Sequence, residues 1–110
     1  MKSLFALIGI MAMLLFAVPG FAAGDAAAGK ELFAKKCASC HGAAGEGKEA
    51  IAKMLKVEMR HLGDKEVQSK SDADLSKVIT QGAGKMKAVS GIDDKAAGDL
   101  VAYLRTLAKK

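Results

Sequence analysis

An all-α fold is predicted for residues 23–110 by three features of the sequence. Apolar residues recur at helical spacing, runs of β-branched residues are absent, and Asp or Ser stands where most of the helices would begin. Asp25 is placed to cap a first helix from 26 to about 38, along which Gly29, Phe33 and Cys37 recur every four residues. Residues 42–47 form a Gly/Ala-rich loop. A second helix is expected from 48 to about 60, with Ile51, Met54, Leu55 and Met59 on one stripe. Residues 61–70 are mostly polar and read as a connection. Ser71 followed by Asp74 resembles a capping box for a third helix over 72–81, which Gly82-Ala83-Gly84 breaks. Asp93 or Asp94 caps a last helix ending near 108. Along it Ile92, Ala96, Leu100, Tyr103, Leu104 and Leu107 are expected to face inward, and Lys95, Asp99, Thr106 and Lys109 to face water. Acidic residues at its start and Lys109-Lys110 at its end suit the helix dipole.

The residues before this domain read as an export signal. Met1-Lys2-Ser3 is a short basic start, residues 4–18 are unbroken apolar, and Pro19-Gly20 ends that stretch. Gly20-Phe21-Ala22 then offers small residues at the two positions a signal peptidase requires. Cleavage is expected after Ala22, with Ala23 the next choice, dividing the chain into a signal peptide at 1–22 and a domain at 23–110. An uncleaved anchor would need about 18 apolar residues, and the stretch is shorter. No Cys follows closely enough for a lipid-modified N-terminus. The expected destination is the bacterial periplasm, with no stable membrane insertion after cleavage.

The whole chain has 17 Lys and Arg against 12 Asp and Glu, a net charge of +5, and Lys2 leaves with the leader. The basic residues are scattered along the chain, whereas a nucleic-acid binder gathers them on one element. Nucleic acid is therefore not the expected partner; acidic protein surfaces are. A domain of this length is a marginal folder, and Phe33 and Tyr103 are its only Phe, Tyr or Trp residues. Something else must fill its core.

Cysteine occurs in one place only, Cys37-Ala38-Ser39-Cys40-His41. Two thiols three residues apart at a helix end can each add to one vinyl group of a haem, and the adjacent His can then reach the iron. Other uses of this spacing fit less well. A disulfide closing so short a loop would restrain little of the unfolded chain. A thioredoxin-like dithiol needs a βαβ context. Zinc could draw on Cys37, Cys40, His41 and His61, but would leave the Met-rich second half unexplained.

Around this motif, residues 23–110 resemble the single-haem class I cytochrome c family over nearly their whole length. The matching residues are Gly29, Phe33 and Cys37 to Gly42, then Ile79 with Gly82-Ala83-Gly84-Lys85-Met86, and finally Leu100, Tyr103 and Leu104. The resemblance implies a small cytochrome c fold of about four helices around one haem c held by Cys37 and Cys40. It implies that the first and last helices cross where Gly29 and Phe33 meet Leu100 and Tyr103, a close approach that needs a missing side chain. It also implies an electron carrier with a His and a Met on the iron. Two departures stand out. Lys87 follows the candidate Met where family members often have Pro, and no Pro follows the attachment motif, so a carbonyl of the 42–50 loop is expected to fix the His41 ring.

The candidates for the sixth iron ligand are Met54, Met59, His61 and Met86. Met54 and Met59 lie in a helical stripe, where Met is usually core filler. His61 lies in a polar connection. Met86 sits in a Gly-rich loop between lysines, an odd place for an apolar residue unless it turns inward, and the family match favours it. Phe33, Ile51, Leu55, Ile79, Leu100 and Tyr103 are expected to pack on the porphyrin or on each other. Lys36, Lys48, Lys85 and Lys87 are expected near the haem opening, as a docking surface for acidic redox partners. With both axial positions filled by protein, no substrate would reach the iron, so a monomeric carrier and not an enzyme is expected. The alternative is a haem c sensor or peroxidase-like protein whose sixth position is open or labile.

Overall fold

A computed structural model describes residues 24–109. The leader predicted at 1–22 lies outside the described residues. The chain forms α1 (Ala26–Lys36), α2 (Ala38–His41), α3 (Glu49–Leu55), α4 (Lys65–Gln68), α5 (Asp72–Gln81) and α6 (Asp94–Thr106). Among the described residues there are helices and no strand, so the all-α expectation holds. Two of the six helices are single turns that the sequence pattern did not distinguish from loop.

The predicted caps are in place. The Asp25 carboxylate accepts the N–H groups of Ala27 and Ala28, the Ser71 hydroxyl accepts that of Asp74, and the Asp93 carboxylate accepts that of Ala96. Each satisfies a donor that the first turn of a helix leaves without a backbone partner. Helix α1 stops earlier than expected. Cys37 leaves the helical register, and the chain restarts as the short α2 carrying the second thiol and His41.

The second predicted helix is shorter by about one and a half turns. It ends at Leu55, because Lys56 takes a left-handed conformation (φ 56°, ψ 48°) and its N–H closes the last turn on Ala52 and Lys53. No Gly marks this stop, so periodicity alone runs through it. The expected stripe also fails at Met54, which is 68% exposed. In the connection at 61–70, α4 turns Val67 toward the core.

Helices α1 and α6 pack most closely, and α5 lies against α6. The crossing is where the resemblance placed it. A Cβ on Gly29 would overlap the Asp99 carbonyl and touch the Tyr103 Cβ at 3.0 Å. One turn on, the Phe33 and Tyr103 rings are tilted at 56° with centroids 5.3 Å apart, a favourable aromatic geometry. Leu75, Ile79, Leu100, Val101 and Leu104 complete the buried cluster.

Two expectations for α6 are corrected. Ala97 is buried where Ala96 was expected to be, and Asp99 is 4% exposed instead of facing water. The Asp99 carboxylate accepts the Asp25 N–H at 2.8 Å and the Lys95 ammonium at 2.8 Å. Because the α1 backbone lies directly on α6, Asp99 is covered by the chain entry and not by a side chain that a periodicity plot would show.

Candidate haem site

The attachment motif straddles the α1–α2 break. Cys37 is half-buried and Cys40 is exposed, and no disulfide joins them. Burial pushes the Cys37 thiol up, and neighbouring Cys40 adds to the rise. A thiol held protonated is poorly suited to disulfide exchange, which needs a thiolate. The zinc alternative also loses support: among the described residues no three His, Cys, Asp or Glu side chains are grouped as a metal would require.

His41 closes α2, and the loop after it is tied down by its own backbone. Gly47 donates to the His41 carbonyl at 2.6 Å, Lys48 to that of Cys40, Gly45 to that of Gly42, and Leu62 to that of Gly45. The carbonyl expected from the 42–50 loop is not on His41: Nδ1 is buried with no hydrogen-bond partner. Burial also pushes the imidazole below its ordinary pKa. A lowered imidazole pKa favours the neutral ring that a metal ligand needs.

His41 and Cys37 face an apolar cleft of about 710 Å³, part of it open to solvent. Phe33, Leu75, Ile79, Leu100 and Leu104 line it, and Met86 contributes from the loop after α5. Thiol, imidazole and thioether thus meet at one cavity, although Met86 is far along the chain from the motif. Met54, Met59 and His61 are not among its lining residues. His61 is engaged elsewhere, its Nδ1 accepting the Gly63 N–H at 2.8 Å. Of the residues expected to pack on the porphyrin or on each other, Ile51, Leu55 and Tyr103 do not line the cleft, and Tyr103 packs against Phe33, which does.

The Met86 loop is a tight turn. Ala83 and Met86 exchange both backbone hydrogen bonds at 2.9 Å, with Gly84 at φ 56° between them. Gly82, at φ 83°, lets the chain double back: a Cβ there would lie 2.7 Å from the Met86 carbonyl. The Val89 N–H bonds the Ile79 carbonyl and fastens the loop to α5.

Sequence reasoning missed Leu62, Val67 and Lys70, which line the cleft from the connection read as polar. Lys70 is the only charged residue of that lining, and its carbonyl is held by the Arg105 guanidinium at 2.7 Å. Arg105 also binds Asp72 and the Gln68 carbonyl, at 2.7 and 2.9 Å, so one side chain of α6 sets the course of this wall. No periodic signal marks four-residue helices, and Val67 alone was too little to expose the wall. A broader groove between α5 and α6 is lined by residues such as Asp72, Thr80 and Ala97, and holds no thiol or imidazole.

Fold and cleft together define a small all-α domain in which the Cys37 thiol, an imidazole and a thioether meet at one apolar cavity, while the second thiol, Cys40, is exposed and outside its lining. The chain belongs to the cytochrome c family, whose model matches residues 26–108. It is 34% identical over 91 residues to cytochrome c-554(547) of Halothiobacillus neapolitanus, covering 77% of this chain and 99% of that protein. Its fold resembles the c-type cytochrome KustC0563, at a TM-score of 0.63 and 24% identity over 74% of this chain and 98% of that one. It also resembles part of the sulfane dehydrogenase SoxCD from Paracoccus pantotrophus, at a TM-score of 0.55 and 21% identity over 76% of this chain and 43% of that one. The cofactor is therefore covalently attached haem c, and the protein is a haem-based electron carrier that acts with redox partner proteins.

Proposed function

We propose that this chain is an exported, monomeric carrier of single electrons with one haem, held through Cys37 and Cys40 and ligated by His41 and Met86. The observation that carries the reading is the common cavity: Cys37, His41 and Met86 line one apolar cleft, while the rival ligands do not. When bound, the haem supplies an iron that takes up and releases one electron. His41 offers a neutral nitrogen from one wall, and Met86 a soft thioether from a loop with little freedom to turn away. A thioether and an apolar surround both favour the ferrous state and raise the potential. Lys70, the charged residue of the lining, would offset the charge of a haem carboxylate held beside it.

Export is supported by the leader pattern and by the family match beginning at residue 26, just past the predicted cleavage site. No helix among the described residues is long and apolar enough to cross a membrane. With His41 and Met86 both holding the iron, the site would carry electrons and leave no position for a substrate.

A potentiometric titration followed by visible spectroscopy, on protein matured in a periplasm, tests the reading. It should show one haem, low-spin spectra and a sulfur-to-iron charge-transfer band in the ferric form. Met86→Ala should abolish that band, admit added imidazole and lower the potential, whereas Met86→His should stay six-coordinate at a lower potential. A band that survives Met86→Ala would refute the ligand assignment.

A further inference from the structure

We propose that Lys85 is a positioning residue for the iron: its ammonium latches the turn carrying Met86 to the C-terminal end of α3. The inference rests on Met86 being the sixth ligand. Lys85 occupies the tip of the turn, between Gly84 and Met86, and its Nζ donates to the Leu55 carbonyl at 2.7 Å. Leu55 is the last residue of α3, so its carbonyl has no partner within the helix, and the negative end of the helix dipole favours a cation there. Among the described residues this is the one hydrogen bond joining the 49–55 helix to a distant part of the chain. The neighbouring Lys87 makes no such bond among them. The sequence marks Lys85 and Lys87 alike as docking charges; the structure divides their roles.

A latch of this kind acts on a population. The ferric iron admits an outside ligand only while the Met86 sulfur is off, so the apparent affinity for that ligand scales with the fraction of the open state. Losing one solvent-exposed hydrogen bond from the closed state should raise that fraction about three- to tenfold.

The test is imidazole titration of the ferric holoprotein in wild type, Lys85→Met, Lys85→Gln, Lys85→Arg, Lys87→Met and Met86→Ala. Lys85→Met and Lys85→Gln should bind imidazole about three- to tenfold more tightly, and Lys85→Arg and Lys87→Met within about twofold of wild type. On heating, the sulfur-to-iron band of Lys85→Met should vanish at a lower temperature than in wild type, while the helical circular dichroism melts where wild type does. A merely structural lysine would move both. Wild-type affinity in Lys85→Met and Lys85→Gln, with Met86→Ala opening the iron, would overturn the latch and leave the ligand assignment standing. A sulfur band retained in Met86→Ala would overturn the assignment itself and the latch with it.

Discussion

Asp99 is the residue whose charge the fold uses most directly. The Lys95 ammonium, and then the Asp25 N–H, hold its carboxyl below the usual carboxylate range. A carboxyl depressed on folding stabilises the protein fully above its unfolded pKa, about 3.9, and loses that contribution as pH falls through the lower folded value. Asp99→Asn should therefore lower the melting temperature at neutral pH, and the gap to wild type should close as the pH is lowered below about 4. Melts recorded from neutral to strongly acid pH check this, and a gap that stays constant would assign Asp99 no role in acid stability. His61 gives the contrasting case. Its ring accepts the Gly63 N–H, so His61→Ala should cost about 1 kcal/mol of stability and leave the ferric spectrum unchanged. Loss of the sulfur band in that variant would count against Met86 as the ligand and for a role of His61 at the iron.

At the scale of elements, the α1–α6 crossing depends on which glycines face another backbone. Gly29 lies against the Asp99 carbonyl, an atom that cannot turn aside, so Gly29→Ala must push the helices apart. The expected cost is about 1–3 kcal/mol in denaturant unfolding. Gly98, inside α6, would carry a Cβ into open space, with nothing within 4 Å, and Gly98→Ala should stabilise by about 0.5–1 kcal/mol. The two substitutions are chemically identical, and opposite signs would show that packing, not propensity, decides the outcome. If Gly29→Ala is neutral, the two helices are free to move apart at their crossing. Arg105 has the parallel role on the other side of α6, where it holds the Gln68 and Lys70 carbonyls that shape the cleft wall.

The whole molecule is small and its buried cluster modest, so the haem is expected to serve as much of its core. Cys37→Ser/Cys40→Ser should give a largely unfolded or degraded product in the periplasm, because chain entropy is not offset by the remaining burial. A colourless mutant that melts cooperatively would disprove this. The surface charge belongs to the same scale. Rates with an acidic partner should fall as ionic strength rises past about 0.1 M, where screening lengths reach about 10 Å. Lys48→Glu/Lys87→Glu should lower them further. Lys85 is left out of that test because its ammonium is engaged with Leu55.

Much of the site is legible in the sequence because its signals are local. The thiol spacing, the adjacent His and the caps at Asp25, Ser71 and Asp93 act within a few residues, and all three caps form as their spacing predicts. Met86 can be singled out because an apolar residue between lysines in a Gly-rich segment conflicts with its surroundings. The tertiary structure decided what depends on distant backbone. It ended α3 at a left-handed Lys56 without a Gly, buried Asp99 under the entry to α1, and left the His41 Nδ1 without the expected carbonyl. It also brought the exposed Lys85 onto the Leu55 carbonyl. Neighbours in sequence set helix starts and ligand spacing, because capping and attachment are short-range chemistry. Which polar group is covered, and by what, is set where helices cross, and no periodicity along one segment records the backbone lying on top of it.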